Sequence, residues 1–324
     1  MDVSKIFDAL NDAQREAVGA TPGPMLVLAG AGSGKTRVLT YRIAYLVQAL
    51  QASPYSILAV TFTNKAASEM RRRIEDFLGF SVRGMWIGTF HGLSHRLLRD
   101  HHELAGLPSG FEILDSDDQY RVIRRALREM NLDEEHWPPR QVQWFINSQK
   151  EEGRRSAALH GTGDAHQQTL IRVYTHYEET CKRLGLVDFA ELLLSALELL
   201  EQNQSLRENY QQRFQHVLVD EFQDSNTIQY RWLKCLALAH GQIMAVGDDD
   251  QSIYGWRGAR IENMAQLQKD FAGTEVVRLE QNYRSTGNIL KAANAVIDLN
   301  PDRMGKNLWT EGDDGEPIRV YGAL

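Results

Sequence analysis

The segment Ala29-Gly-Ala-Gly-Ser-Gly-Lys-Thr36 limits the possible folds of this chain more than any other. An apolar run, Met25–Leu28, precedes it, and a helical pattern follows it to about Leu50. A strand, a glycine-rich turn and a helix in this order are the context of a phosphate-binding loop, because small residues let backbone N–H groups converge on phosphate oxygens at the helix N-terminus. Ala29 stands where glycine is usual. The segment predicts a site for a nucleoside triphosphate.

The side chains at the end of this loop have distinct chemical uses. Lys35 has the length and charge to reach the β- and γ-phosphates, and the hydroxyl of Thr36 can ligate Mg²⁺. A nucleoside triphosphate and Mg²⁺ are therefore the expected ligands. We expect the small residues of the loop to complete the phosphate-binding set, namely Ala29, Gly30, Ala31, Gly32, Ser33 and Gly34.

The composition of the chain excludes several classes of protein. No apolar run approaches the length that spans a membrane, and the first residues do not form a signal peptide, so no membrane partner is expected. The two cysteines, Cys181 and Cys235, lack metal-ligand spacing, which makes a reducing cytoplasm the expected location. The net charge of −7 argues against coating nucleic acid through bulk charge but leaves binding along a local track open.

Short apolar runs after the loop predict an α/β fold with a parallel sheet. The expected strands are Ile57–Thr61, Met85–Gly88, His216–Val219, Gln242–Val246 and Val276–Leu279, each followed by a helical pattern or a polar turn, and Ile318–Tyr321 is the expected beginning of another strand. The run from His216 ends in Asp220 and Glu221. Asp220 can hold Mg²⁺ through its water shell, and Glu221 can orient and deprotonate an attacking water. Between about Phe90 and Phe214 strand signals nearly vanish, which predicts an all-helical insertion.

The loop Gly247–Gly258 follows one of the predicted strands. Gln251 can reach a γ-phosphate, while Tyr254, Trp256 and Arg257 form a set of two aromatic rings and a cation. Exposed rings of this kind stack on unpaired bases without needing a particular sequence. The alternative is that these rings are ordinary core aromatics, although the flanking glycines favour a loop.

These stretches together resemble the superfamily 1 helicases of the UvrD/Rep/PcrA type. The match is specific because unusual strings occur in the order of that family: Ala29–Thr36, Thr61–Lys65, Gly88–Gly92, Val219–Asp224, Gly247–Gly258 and Gln281–Ser285. The resemblance implies ATP-driven movement 3′ to 5′ along single-stranded DNA, separation of duplex at single-strand/double-strand junctions, and a role with repair proteins in nucleotide-excision and mismatch repair. It also implies a bacterial protein associated with the nucleoid.

The resemblance assigns roles to further residues. Gln14 would read adenine and Tyr283 would stack on it, while Arg37, Gln251 and Arg284 would contact phosphates beside Lys35. The single-strand track would be lined by Phe62, Asn64, His91, Phe189, Tyr254, Trp256 and Arg257. On the residues alone, Gln14 is a surface glutamine and Phe62 is as well explained by core packing.

The resemblance also implies a layout of domains. Residues 1–89 and 215–279 would form a first RecA-like motor domain, residues 90–214 its helical insertion, and residues 280–324 the opening segment of a second RecA-like domain. We expect the parent protein to be a helicase and these residues alone to bind nucleotide weakly and unwind little. Three alternatives are a P-loop phosphotransferase, a module that binds ATP and single-stranded DNA without unwinding, and a parent with a nuclease domain.

Overall fold

The computed structural model describes residues 4–160, 164–301 and 303–322, except the side chains of residues 4, 5 and 257. The chain divides into two compact units: unit 1 comprises Met1–Thr89, Asn209–Ser225 and Leu236–Leu324, and unit 2 comprises Phe90–Glu208 and Asn226–Cys235. The predicted domains have different borders, since they assign residues 226–235 to the motor domain, and they stay a prediction.

The secondary structure of the described residues is as follows. In chain order the strands are β1 Met25–Ala29, β2 Ile57–Thr61, β3 Trp86–Thr89, β4 Glu112–Leu114, β5 Leu186–Asp188, β6 His216–Val219, β7 Ile243–Gly247 and β8 Glu275–Leu279. The α-helices are α1 Ser4–Phe7, α2 Asp12–Gly19, α3 Lys35–Gln48, α4 Asn64–Leu78, α5 Phe90–Asp100, α6 Ser116–Glu129, α7 Pro139–Glu151, α8 Ala165–Leu184, α9 Phe189–Gln202, α10 Gln204–Arg213, α11 Thr227–Ala237, α12 Glu262–Asp270 and α13 Gly287–Ile297. None of these helices is both long enough and apolar enough to cross a lipid bilayer.

The strands of unit 1 form a parallel sheet in the order β3-β2-β6-β7-β1-β8. In β1, Val27 lies opposite Val246 of β7 on one side and Val277 of β8 on the other. Every residue of β1, β2 and β7 is buried, which is typical of parallel strands covered on both faces. The prediction of an α/β fold with a parallel sheet flanked by helices is confirmed.

The main apolar core of unit 1 lies between the sheet and helices α2, α3 and α4. Met25, Val27 and Ala29 contribute to it from β1, the alternate residues that share one face of a strand. Helix α3 packs against both α2 and α4. The helix that follows the glycine-rich loop is therefore anchored along its length, which holds its N-terminus at the carboxyl edge of the sheet.

Unit 2 is built mainly from helices. Helix α5 packs on α9, and a second group is formed by α6, α7 and α8, which pack against one another. Unit 2 also contains a two-stranded parallel sheet, in which Leu114 of β4 pairs with Asp188 of β5. The prediction that this insertion is all-helical is wrong in this respect. Asp188 ends β5 and also caps α9 by accepting a hydrogen bond from the N–H of Glu191 at 2.8 Å, so the helix signal masked the short strand.

The prediction that a strand begins at Ile318–Tyr321 is also wrong. The structure assigns these residues no strand, and Ile318, Val320 and Tyr321 are exposed. A strand needs a neighbour that satisfies its backbone N–H and C=O groups. Among the described residues, none pairs with this segment in a sheet.

A buried charged group stabilises the interior of unit 2. The ammonium of Lys150, only 1% exposed, lies 2.6 Å from Oδ2 of Asp188 and 2.8 Å from Oε2 of Glu191. The hydroxyl of Tyr177 donates to Oδ2 of Asp188 at 2.7 Å. Burial opposes the charge on Lys150, but the two carboxylates outweigh it and raise its pKa above the usual value.

Removal of this cation should destabilise the chain strongly. We expect Lys150→Met to lower the free energy of unfolding by about 3–5 kcal/mol, because it leaves the buried carboxylate of Asp188 without its cation. Glu191 keeps an ion pair with Arg155 at 2.6 Å. Urea denaturation followed by circular dichroism measures the change. Lys182→Met removes an exposed lysine from the same unit and should cost less than about 0.5 kcal/mol. Similar losses in both variants would contradict the proposed importance of the buried pair.

Candidate functional site

The glycine-rich loop follows β1 directly. Ala29 is the last residue of that strand, is fully buried and lies opposite Leu279 of β8, so this extended position accommodates a Cβ where glycine is usual. Gly32 and Gly34 have φ of +69° and +92°, a region that favours glycine. A Cβ on Gly34 would also lie 2.8 Å from Nε2 of Gln14. Glycine is therefore required at Gly34 by both conformation and space.

The loop turns on itself before helix α3 begins. Ser33 donates to the carbonyl oxygen of Gly30 through its N–H at 3.2 Å and through its Oγ at 2.7 Å. Gly34 precedes the helix and provides no side chain to cap it. The first N–H groups of α3 are therefore available to an anion at the positive end of the helix.

Lys35, the first residue of α3, forms an ion pair with Glu221, one of the two carboxylates predicted to act after β6. Its Nζ lies 3.1 Å from Oε2 of Glu221, and the two side chains are 11% and 36% exposed. Thr36 is half-buried, whereas Arg37 is exposed and donates weakly to the carbonyl oxygen of Ala9 at 3.4 Å. The pair of Lys35 and Glu221 brings the two predicted halves of a phosphate site together.

Asp220 is buried at the end of β6, and its Oδ1 accepts a hydrogen bond from the N–H of Glu221 at 3.1 Å. Burial, with a smaller contribution from the charge of Glu221, raises the pKa of Asp220 to about 7. Glu221 has a left-handed backbone with φ of +48°. This conformation is unfavourable for a residue with a Cβ, by about 1–2 kcal/mol, and marks a turn that the surrounding contacts hold in place.

Two neighbouring residues belong to this site although the sequence analysis missed them. Gln223 is buried and donates to Oε2 of Glu221 at 3.0 Å, while its Oε1 accepts from the N–H of Asp248 at 3.0 Å. Asp224 has a buried Oδ1 without a hydrogen-bond partner among the described residues. Burial and the charge of Glu221 raise the pKa of Asp224 to about 6. The signal was present in the string Asp-Glu-Phe-Gln-Asp, which contains both residues.

Gln14 is fully buried beside the loop rather than on the surface. Its Nε2 donates to the carbonyl oxygen of Ser33 at 2.8 Å, and its Oε1 accepts from the N–H of Asn11 at 3.2 Å. Asn11 in turn accepts from the N–H of Gln14, which forms a capping box at the start of α2. Gln14 therefore connects α2 to the glycine-rich loop, and its reading of adenine stays a prediction.

Residues 281–285 lie against the same loop. Asn282 donates to the carbonyl oxygen of Ala31 and accepts from the N–H of Arg284 at 2.8 Å, and the N–H of Tyr283 donates to the carbonyl oxygen of Gly32 at 3.0 Å. The side chains of Tyr283 and Arg284 are exposed. The structure thus places both predicted residues at the loop, and the positioning residue that sequence reasoning missed is Asn282.

The loop after β7 carries the predicted aromatic set. Gln251 donates to Oδ2 of Asp248. Trp256 is 72% exposed, Tyr254 is 38% exposed, and their ring centroids are 6.4 Å apart. These exposures exclude the alternative that the two rings belong to the core. The side chain of Arg257 lies outside the described part of the chain.

The remaining predicted track residues divide between the two units. In unit 1, Phe62 is half-buried and Asn64 is exposed, both just after β2. In unit 2, the ring of His91 meets the ring of Phe189 edge-on at 5.9 Å, and Phe189 is 52% exposed. Burial lowers the pKa of His91, which favours the neutral imidazole. The assignment of these four residues to a DNA track stays a prediction.

The strand, loop and helix with their facing carboxylates place the chain in the class of P-loop α/β proteins. Its sequence matches the model of the UvrD/REP helicase N-terminal domain over residues 10–272 and that of the UvrD-like helicase C-terminal domain over residues 277–323. The chain belongs to the UvrD/REP helicase family, and the resemblance recognised from its motifs is confirmed.

Curated relatives support this assignment. The chain is 60% identical over its whole length to DNA helicase II of Escherichia coli strain K12, of which it covers 45%. It is 57% identical to DNA helicase II of Haemophilus influenzae, also covering 45%, and 44% identical over 98% of its length to the ATP-dependent DNA helicase PcrA of Bacillus subtilis, covering 43%. The chain spans less than half the length of these relatives.

The raised pKa of Asp220 has a consequence for stability. A folded-state pKa of about 7 against 3.8 for the unfolded chain means that stability is lost as the pH rises toward 7. We therefore expect Asp220→Asn to stabilise the chain more at pH 8 than at pH 5.5, by about 2 kcal/mol across that interval. Urea denaturation at both pH values measures this difference. Asp313→Asn, at an exposed position, should show no such pH dependence. If the change in unfolding free energy between the two pH values is equally small in both variants, the raised pKa of Asp220 is contradicted.

Proposed function

We propose that this chain is the nucleotide-binding and DNA-binding part of an ATP-dependent DNA helicase. One observation carries the proposal: the ammonium of Lys35 lies 3.1 Å from the carboxylate of Glu221, within a chain of the UvrD/REP helicase family. A phosphate-binding lysine and a candidate base at the same edge of the sheet are what hydrolysis of a phosphoanhydride requires. The names of the relatives, DNA helicase II and ATP-dependent DNA helicase PcrA, support both ATP and DNA as substrates.

The residues at the carboxyl edge of the sheet have different roles in hydrolysis. The loop N–H groups and Lys35 bind the phosphates, while Gln251 and Arg284 contact the γ-phosphate as charge develops on it. Glu221 orients the attacking water and accepts its proton. A phosphate that binds Lys35 would compete with Glu221 for the lysine and so free the carboxylate to act as a base.

The donor set also fits Mg²⁺. The hydroxyl of Thr36 and the carboxylate of Asp220 are oxygen ligands of the kind that this ion prefers. No ion pair within the described residues joins Asp220 to a cation, and burial raises its pKa to about 7, so a nearby divalent cation would favour its ionised form. When bound, Mg²⁺ would neutralise charge on the phosphate oxygens.

The exposed rings provide a surface for single-stranded DNA. Trp256 and Tyr254 lie on the loop after β7 and offer faces on which unpaired bases can stack. Phe189 offers a third exposed ring in unit 2. We include Phe62, Asn64, His91 and Arg257 in the same track on the basis of the sequence motifs.

The proposal extends to the whole protein. We propose 3′ to 5′ movement on single-stranded DNA, separation of strands at duplex junctions, and action with repair proteins in nucleotide-excision and mismatch repair in the bacterial cytoplasm, in association with the nucleoid. The sequence motifs support these finer assignments by resemblance. A phosphotransferase and a binding module that does not unwind DNA are the competing functions.

The ATPase activity of the chain distinguishes these functions. We expect ATP hydrolysis to increase at least fivefold with single-stranded oligothymidylate, and Glu221→Gln to lower kcat about 100-fold because the general base is lost. Release of inorganic phosphate is the measurement. Glu262→Gln, at an exposed position in α12, is the matched control and should match the parent chain.

The outcomes separate the alternatives. A phosphotransferase would not respond to DNA, and a binding module would show no turnover for Glu221→Gln to reduce. Unchanged turnover in Glu221→Gln would contradict the assignment of this residue as the base.

The aromatic loop makes a separate prediction about DNA affinity. We expect Trp256→Ala to weaken binding of fluorescein-labelled oligothymidylate about tenfold, since stacking contributes roughly 1–3 kcal/mol per base. Fluorescence anisotropy measures the dissociation constant. Trp144 has a similar exposure, 70%, and Trp144→Ala serves as the control with an expected change below twofold. Equal losses for the two tryptophans would argue against a specific stacking role for Trp256.

A further inference from the structure

Three consecutive aspartates after β7 converge on one lysine. Nζ of Lys306 lies 2.7 Å from Oδ1 of Asp248, 2.5 Å from Oδ1 of Asp249 and 2.7 Å from Oδ2 of Asp250. Lys306 is only 5% exposed. The carboxylates have the spacing of a cation site, with one oxygen from each within 4.8 Å of the others, and the ammonium supplies the positive charge.

The segment around Lys306 makes further contacts with the same aspartates. Arg303 donates to the two carboxylate oxygens of Asp250, from Nε at 2.8 Å and from Nη2 at 2.9 Å. The N–H of Met304 donates to Oδ2 of Asp249 at 2.8 Å. Residues 303–306 thus contact the first residues of the loop after β7 through two cations, Arg303 and Lys306, and one backbone donor, the N–H of Met304. We call residues 248–250 the aspartate triplet.

Asp248 connects this cluster to the candidate site. Its N–H donates to Oε1 of Gln223, whose Nε2 donates to Oε2 of Glu221, both at 3.0 Å. Its Oδ2 accepts from Gln251. Asp248 therefore contacts three residues: Lys306, Gln251 and Gln223. Gln251 is proposed to reach the γ-phosphate, and Gln223 donates to the candidate base Glu221.

We infer that Lys306 is a positioning residue that fixes the aspartate triplet and thereby sets Gln251 at the γ-phosphate. The inference rests on the proposed function. Lys306 lies in the stretch that matches the C-terminal domain model, residues 277–323, whereas the triplet lies in the stretch that matches the N-terminal domain model, residues 10–272. The contact therefore connects the loop Gly247–Gly258 to the stretch that matches the C-terminal domain model.

The physical reason is charge repulsion. Without the ammonium, three close carboxylates, two of them buried, retain Arg303 as the compensating cation among the residues that the structure describes. Like charges in a site of low dielectric either take up protons or move apart. Movement of the triplet would displace Gln251, whose N–H donates to the carbonyl oxygen of Asp248 at 3.0 Å and whose side chain contacts the same residue.

Hydrogen exchange tests the hold of Lys306 on the loop in the folded chain. We expect Lys306→Met to speed exchange of the amides of residues 250–252 at least tenfold, while the amides of β1 stay as in the parent chain. Lys306→Arg keeps the charge and should remain within threefold of the parent. Lys291→Met breaks an exposed ion pair with Asp314 in the same stretch and should change nothing in the loop. Unchanged exchange in Lys306→Met would overturn the inference.

Nucleotide affinity tests the consequence for the site. We expect Lys306→Met to weaken binding of a non-hydrolysable ATP analogue about tenfold, with ADP binding within twofold of the parent, because ADP lacks the phosphate that Gln251 contacts. Isothermal titration calorimetry gives both constants. Equal loss of both affinities, or no loss of either, would overturn the positioning role. If the parent chain binds neither nucleotide, the proposed function fails, and the exchange result still decides whether Lys306 holds the loop.

Discussion

The parallel direction of the sheet in unit 1 is the constraint on which the candidate site depends. Because every strand ends at the same edge, the residues that follow β1, β6 and β7 are brought together although they are far apart in sequence. Lys35 follows β1, Glu221 follows β6 and Asp248 follows β7, which lies between the other two strands. The candidate site therefore lies at one edge of the sheet.

Charge at this edge is balanced by lysines from two distant segments. Lys35 pairs with Glu221, and Lys306 contacts all three carboxylates of the aspartate triplet, with Arg303 as a second cation on Asp250. Asp220 is buried without such an ion pair in the described residues, and its raised pKa reflects that cost. Asp220, a buried carboxylate without a paired cation in the described residues, is thus the one to which the sequence motif assigns Mg²⁺. The same physical rule, that buried charges need partners, explains both the paired residues and the exception.

Local sequence patterns predicted the elements of unit 1 closely, because an apolar run followed by a glycine or a capping residue is a local signal. They failed where the outcome depends on a distant partner. Strand β5 forms only because Leu114 and Asp188 meet across a parallel ladder, and the segment Ile318–Tyr321 is not a strand because no described residue pairs with it. The sequence alone favours a surface position for Gln14, because nothing in its own helix reveals that it contacts Ser33.

The sequence by itself determined the class of the chain, its family and the chemical types at the site, since phosphate loops, paired carboxylates and aromatic residues between glycines are encoded by residue identity and spacing. Only the tertiary structure decided which charges meet. The pairing of Lys35 with Glu221, the bridge through Gln223 and the hold of Lys306 on the aspartate triplet join residues that are far apart along the chain. Such contacts depend on the packing of the sheet and its loops, because electrostatic interaction depends on distance in space and on burial rather than on position in the sequence.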